Sequence, residues 1–200
     1  MIYLTYAEIP ERKIEVFEAE RLFGKILYID SVAKRKSDIS KKESLAALLL
    51  LAETLRSSGT DPSGVTLEKD ENGRPHIKEN REIDFSLSHS GGIVACAVST
   101  DGRVGVDIEK ITDKYERVAK RFFSEAEQGI AKNAEDFVRV WTRKEAYYKF
   151  FGKGSLSELD SEADDGVNIE SFLLDGEYFI SVCTIKTVEI CQNPQKTEIK

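Results

Sequence analysis

The chain has 200 residues, of which 40% are hydrophobic and 32% charged, and its formal net charge is −7. This composition is enough to bury a core of ordinary size, which excludes an intrinsically disordered chain. The acidic balance excludes a general nucleic-acid binder, because such a protein needs a basic surface to displace counterions.

The sequence also favours a cytoplasmic protein that does not bind membranes. The longest apolar run, residues 45–52, is too short to span a bilayer, and the first residues do not resemble a signal peptide. The three cysteines lack CxxC spacing, which argues against a disulfide framework and against a zinc site.

The first predicted elements are a strand and a buried helix. The opening run IYLTYAEI is typical of a strand. Residues 44–55 are apolar nearly all round, which predicts a buried helix with Ser44 or Ser40 as its cap.

Four further strands are predicted before residue 112. Residues 64–78 are predicted to form a hairpin that turns at Asn72-Gly73, a strong turn signal. Two more strands, 92–99 and 102–111, are separated by a short turn, and we expect them to continue a meander around the core.

The rest of the chain is predicted to be mainly helical and to close with a hairpin. Ser124 and Glu127 form a capping-box pattern, and the strongest helix runs from residue 134 to a stop at Gly152. A final hairpin turns at Asp175-Gly176, and residues 192–200 are expected to be a loose tail. The predicted fold is therefore α+β with mainly antiparallel sheets, in two similar, closely packed halves, 1–110 and 111–200.

The helix is most informative at residues 141–149, WTRKEAYYK. At about 100° per residue, Lys144, Glu145 and Lys149 fall on or beside the Trp141 side of the helix. These charges either form a solvated Glu145–Lys149 pair or face a site, and the helix alone does not decide between the two.

The segment VGVDIEK, residues 104–110, offers a partner for those charges. In a strand, Asp107 and Glu109 lie on one face, about 7 Å apart. Two carboxylates without histidine or cysteine suit a hard ion such as magnesium. The other interpretation is a strand with one solvated acidic face.

A third element is FSLSHSGG, residues 85–92, predicted as a loop before a strand. Ser88, His89 and free backbone N–H groups in such a loop can hold phosphate oxygens, although a serine-rich turn with an exposed histidine is the simpler interpretation. Arg74 and the cations at residues 34–42 form a solvated surface or reach an anionic ligand. Carboxylates for a metal and cations for phosphates together favour metal-assisted phosphoryl-type chemistry, and no Walker A or Rossmann fingerprint is present.

The spaced motifs resemble the 4′-phosphopantetheinyl transferases. GVDIE followed about thirty residues later by WTRKEAYYK resembles the paired signature of that family, and FSLSHS, NGRPHI and RFFSEAE resemble its other elements in the same order. With 200 residues and two predicted halves, the chain resembles the Sfp type of this family. A protein of that type is a pseudodimeric monomer whose site lies between its two halves. The resemblance implies that the charges of residues 141–149 point into that cleft.

The same resemblance implies a ligand set and a reaction. The implied ligands of magnesium, with manganese as the alternative ion, are Asp107, Glu109 and Glu145. The residues implied to hold the phosphates of coenzyme A are Arg74, Ser88, His89, Lys144 and Lys149. Lys41 and Lys42 are expected to substitute for an arginine that the family carries where this chain has Glu43.

In the implied reaction, a serine hydroxyl of an apo acyl or peptidyl carrier protein attacks the β-phosphate of coenzyme A and releases adenosine 3′,5′-bisphosphate. Glu145 is the first candidate for the base and Glu127 the second, while Lys144 stabilises the developing charge. The carrier is expected to dock near residues 111–124, on Arg117, Lys120 and Arg121. Two alternatives stay open: another magnesium-dependent phosphohydrolase or transferase, and a non-catalytic coenzyme A-binding module.

Overall fold

The computed structural model describes residues 1–112, 121–152, 156, 166–185 and 194–199. Its helices are α1 (Val16–Glu20), α2 (Ile29–Ala33), α3 (Asp38–Ser57), α4 (Glu125–Ile130) and α5 (Ala134–Phe151). Its strands are β1 (Ile2–Glu8), β2 (Lys25–Ile26), β3 (Thr66–Lys69), β4 (Pro75–Ile77), β5 (Asp84–Ser90), β6 (Ile93–Ser99), β7 (Val104–Lys110), β8 (Val167–Leu174), β9 (Tyr178–Ile185) and β10 (Gln195–Lys196). Within these ranges, no helix combines the length and apolarity needed to cross a membrane.

The strands form three sheets, which confirms the predicted α+β class with mainly antiparallel pairing. Their orders are β10-β1-β6-β5, β2-β3-β4 and β7-β9-β8. Only β1–β10 and β2–β3 pair in parallel among the described strands. Because β7 pairs with β9, the sheet that contains β8 and β9 also contains residues from Val104 onward, which precede the predicted boundary at residue 110. The division into similar halves at residue 110 stays a prediction.

The predicted buried helix is confirmed as α3, which packs on β6 and β1. It begins earlier than predicted, because the Ser37 side chain accepts a hydrogen bond from the Ser40 backbone N–H at 3.3 Å and caps the helix. The prediction of Ser44 or Ser40 as the cap is therefore wrong.

Local signals located most turns and helix ends correctly. Asp70 Oδ1 accepts from the backbone N–H groups of Asn72 and Arg74, both at 2.9 Å, and closes the β3–β4 hairpin. The capping box that begins α4 and the glycine that ends α5 are also as predicted. The prediction of a loose tail at residues 192–200 is wrong at β10, which pairs with β1.

The predicted meander is also wrong, and so is the predicted loop at residues 85–92. Residues 84–90 form β5, which pairs with β6, while β7 lies in a different sheet. The two sheets meet where β5 side chains bond to β7. Asp84 Oδ2, Ser86 Oγ and Ser90 Oγ accept from the β7 backbone N–H groups of residues 104, 106 and 110 at 3.0, 3.0 and 3.2 Å. We call these three residues and Ser88 the β5 seam.

Gly105 allows α5 to pack closely on β7. A Cβ atom at this position would lie 2.0 Å from the Ala146 carbonyl oxygen and 2.7 Å from the Phe150 nitrogen, and both are backbone atoms. We therefore expect Gly105→Ala to lower the free energy of unfolding by about 2–3 kcal/mol. Urea unfolding measures this, with the exposed helical Gly129→Ala as the control, which should stabilise slightly. Equal midpoints for the two variants would contradict the packing described.

Candidate functional site

Helix α5 carries its charges along the edge of the face that packs on β7. Thr142, Ala146 and Phe150 are buried on that face. Trp141 is only half-buried and packs beside the ring of Phe122. Lys149 bonds directly to β7, and Glu145 interacts electrostatically with Asp107 of β7.

Asp107 is a buried carboxylate with one satisfied oxygen. Its side chain is 6% exposed, and its Oδ1 accepts from Ser88 Oγ and from Lys149 Nζ, both at 2.7 Å. Within the described part of the chain, no group donates to Oδ2. Since an unpartnered buried oxygen is costly, this atom is suited to a cation.

Glu145 is close enough to Asp107 and to Glu109 for the negative charges to interact. Burial, followed by repulsion from Asp107, raises the pKa of Glu145 to about 7. Glu109 raises this pKa further, and Lys149 lowers it. Glu109 itself accepts from Ser90 Oγ at 2.5 Å. The three predicted metal ligands therefore interact electrostatically, and the β5 seam bonds two of them.

These carboxylates suit a hard divalent cation, because their ligating atoms are oxygens and one of them, Asp107 Oδ2, receives no hydrogen bond from the described residues. Among the described residues, however, no three His, Cys, Asp or Glu side chains are close enough, as they stand, to hold a metal. The assignment of Asp107, Glu109 and Glu145 as ligands stays a prediction.

The raised pKa of Glu145 makes the stability of the metal-free protein depend on pH. In the unfolded chain the pKa of this carboxyl is 4.5, whereas in the folded protein it is about 7. Folding therefore favours the protonated form, and the stability associated with this group is present below pH 4.5 and lost as the pH rises to about 7.

Glu145→Gln, which stays neutral, is expected to be more stable than the parent by about 2 kcal/mol at pH 8 and by much less at pH 5. Urea unfolding in EDTA at the two pH values measures this difference, with Glu135→Gln, an exposed position of the same helix, as the control. The same stability difference at both pH values would contradict the raised pKa.

Lys149 connects the carboxylates to a cavity. Its ammonium group donates to Asp107 Oδ1, to Ser88 Oγ at 3.0 Å and to the Val106 carbonyl oxygen at 3.0 Å. The side chain remains 27% exposed. It lines a cavity of about 560 Å³, and the other lining residues are Asn72, Gly73, Arg74, Pro75, Phe85, Ser86, Leu87, Tyr148 and Gly152.

A second cavity, of about 270 Å³, adjoins the first through Gly73, Pro75 and Leu87. His89 lies in its wall, exposed, with Nδ1 3.5 Å from Glu43 Oε2. The two cavities together extend along β5 from Lys149 to His89. An anionic ligand in this groove would meet Lys149 at one end. At the other end it would meet the cations Arg35 and Lys69 as well as His89 beside Glu43.

Lys144 and Glu127 are buried against each other. Their side chains are 0% and 1% exposed, and Lys144 Nζ donates to the two carboxylate oxygens of Glu127 at 2.9 and 2.7 Å. Glu127 also accepts from the Ser124 backbone N–H at 2.8 Å, which completes the capping box. The pair therefore ties α4 to α5, and the catalytic roles of both residues stay predictions.

The remaining predicted residues contact other parts of the protein, and of these Arg74 also lines the larger cavity. Lys42 donates to the Glu11 carbonyl oxygen at 2.9 Å. The guanidinium group of the half-buried Arg74 donates to the Asp84 carboxylate and to the Val104 carbonyl oxygen. Of the predicted docking segment, Arg117 and Lys120 lie outside the described residues, and the Arg121 guanidinium lies 5.1 Å from the centre of the Phe122 ring.

Sequence reasoning missed the contribution of Asp84, Ser86 and Ser90 to the site. Their signal was present, because DFSLSHS places four polar side chains at every second position, as one face of a strand requires. The prediction of a loop at residues 85–92 does not take this alternation into account.

Comparison with known proteins identifies similar sequences. Residues 103–192 match the model of the 4′-phosphopantetheinyl transferase superfamily. A 4′-phosphopantetheinyl transferase of Bacillus subtilis is 34% identical over 158 residues, which cover 68% of this chain and 70% of that protein. The 4′-phosphopantetheinyl transferase Sfp of B. subtilis strain 168 is 34% identical over 157 residues, 73% of this chain and 67% of that protein. AcpT of Salmonella typhi is 34% identical over 125 residues, 57% of this chain and 64% of that protein.

Proposed function

Because this chain belongs to the 4′-phosphopantetheinyl transferase superfamily and is of the Sfp type, we propose that it moves the phosphopantetheine arm of coenzyme A onto a serine of an apo acyl or peptidyl carrier protein. The other product is adenosine 3′,5′-bisphosphate. A single chain supplies both walls of the proposed site, β7 and α5, which is consistent with a monomer.

Magnesium, or manganese in its place, is the metal that we propose for this site, with Asp107, Glu109 and Glu145 as its ligands. A bound divalent ion would neutralise charge on the pyrophosphate and on its leaving group. The observation that supports this assignment is the buried Oδ2 of Asp107, which lacks a donor among the described residues.

The groove along β5 is the proposed site for coenzyme A. Lys149 lines the groove and bonds to Asp107, so we propose that its ammonium group contacts a phosphate oxygen close to the metal ligands. Ser88 bonds to both Lys149 and Asp107 and is the second phosphate contact. His89 is proposed to meet a phosphate at the far end, and Lys42 is kept as a further cation for the phosphates.

Glu145 is the proposed base. Its pKa is raised to about 7 in the metal-free protein, and a bound divalent ion would lower it, so the carboxylate would be ionised at neutral pH and could accept the proton of the attacking serine hydroxyl, directly or through water. The new bond joins the serine oxygen to the β-phosphorus, and the bond from that phosphorus to the bridging oxygen breaks. Glu127 is the second candidate, and Lys144 is the candidate that stabilises developing charge; in the structure described, both are enclosed.

The observation that carries this proposal is the position of Lys149 between the buried Asp107 and the groove. We expect adenosine 3′,5′-bisphosphate to form from coenzyme A only when an apo carrier protein and magnesium are both present. Chromatography of the nucleotides measures this product. Its formation at the same rate without any carrier would instead support a phosphohydrolase.

A second test concerns the metal ligand. Asp107→Ala is expected to raise the magnesium concentration that gives half-maximal transfer by at least about tenfold, because it removes both a ligand and the partner of Lys149. A magnesium titration of the transfer rate measures this concentration in the parent and the variant. Superimposable titration curves would remove Asp107 from the proposed metal site.

A further inference from the structure

Arg74 lies where four elements meet. It follows the β3–β4 turn, and its guanidinium group reaches the beginning of β5, the beginning of β7 and the end of α5. Its acceptors are the Asp84 carboxylate and the carbonyl oxygens of Phe85 (3.5 Å), Val104 (3.0 Å), Lys149 and Phe150 (3.5 Å).

The two terminal nitrogens of Arg74 have different partners. One donates to the Lys149 and Phe150 carbonyl oxygens at the end of α5. The other donates mainly to Asp84 and to the Val104 carbonyl oxygen. Terminal helix carbonyls lack partners within the helix and favour a cation, so this is a stabilising place for a guanidinium group. A phosphate at Arg74 would have to compete with these acceptors.

Both sides of the proposed metal site are attached to this one residue. Arg74 bonds to the Lys149 carbonyl oxygen, and the Lys149 ammonium group bonds to Asp107. Through Asp84, which accepts from the Val104 backbone N–H, it also fixes the beginning of β7.

We propose that Arg74 is a positioning residue that sets the distance between α5 and β7, and so between Glu145 and Asp107, instead of binding a phosphate of the substrate. This inference rests on the proposed function, because it assigns Arg74 a role in the assembly of that site. It replaces the phosphate contact that the sequence predicted for the same residue.

Arg74→Lys separates the two roles. Lysine keeps the charge that a phosphate needs, but its single ammonium group does not span the carbonyl oxygens of α5 and the acceptors at β5 and β7 as the planar fork of arginine does. Arg74→Lys is therefore expected to leave coenzyme A binding nearly unchanged and to weaken magnesium binding and transfer.

Calorimetry of the purified full chain measures the dissociation constants of magnesium and of coenzyme A separately, whether or not transfer occurs. For Arg74→Lys we expect the magnesium dissociation constant to rise about tenfold or more and that of coenzyme A to change less than about threefold. Leu55→Ala, in the buried face of α3, is the control for a loss of stability away from the site, and it should leave both constants unchanged.

Three results would overturn the proposal. A tenfold rise in the coenzyme A dissociation constant of Arg74→Lys would show that Arg74 binds a phosphate. An unchanged magnesium dissociation constant would show that Arg74 does not position the metal site. An equal rise of the magnesium dissociation constant in Arg74→Lys and in Leu55→Ala would show that the effect comes from lost stability. A parent chain that binds both ligands but transfers nothing would contradict the proposed function alone, because the binding comparison for Arg74 stands without it.

Discussion

Replacement of Glu145 by glutamine is expected to reduce transfer to the carrier protein by at least about 1000-fold. Glutamine has nearly the same shape but cannot accept the proton of the serine hydroxyl, and it is a poor ligand for a hard cation. The single substitution therefore removes two proposed functions of one side chain.

This loss is not expected to come from unfolding. The metal-free variant should be more stable than the parent at pH 8, because burial and the neighbouring carboxylates oppose ionisation of Glu145. Single-turnover transfer measured beside urea unfolding separates the two effects, with Glu135→Gln as the matched control on the same helix. Near-normal turnover in Glu145→Gln would remove this residue from the mechanism.

The second large effect is expected at the buried pair of Lys144 and Glu127. Lys144→Met should lower the free energy of unfolding by about 3–5 kcal/mol, because it leaves an uncompensated carboxylate in the interior. The double variant Lys144→Met/Glu127→Gln should recover most of that loss, since glutamine is neutral and keeps the acceptor of the capping box.

Urea unfolding of the two single variants and the double variant measures the coupling between the residues. Loss of the same stability in Lys144→Met and in the double variant would contradict the buried ion pair. Transfer activity of the stable double variant then tests the catalytic predictions. An inactive but folded double variant supports a role in the reaction, whereas full activity would show that the pair only supports the fold.

The parts of the fold that follow from local chemistry could be predicted from the sequence. The Asn72-Gly73 turn, the capping box that begins α4 and the glycine after α5 each depend on a few adjacent residues. The alternation along residues 104–110 likewise placed Asp107 and Glu109 on one face of β7. Short-range geometry determines these features, so tertiary packing did not change them.

The contacts that assemble the candidate site join residues far apart in the chain. Ser86 bonds to the backbone of Val106, and Arg74 bonds to the last turn of α5. A helical projection gave the angle of Lys144 on α5 but could not identify Glu127, 17 residues earlier, as the group that meets it. Periodicity specifies the direction of a side chain, whereas the tertiary fold determines its partner.

The central claim is transfer of phosphopantetheine to a carrier protein through a metal-dependent site. The most direct measurement is the intact mass of an apo carrier protein after incubation with this protein, coenzyme A and magnesium, beside a matched incubation in EDTA. We expect a gain of one phosphopantetheinyl group with magnesium and none in EDTA. An unchanged carrier mass across acyl and peptidyl carriers, with coenzyme A bound, would contradict the claim, and an equal gain in EDTA would contradict the role of the metal.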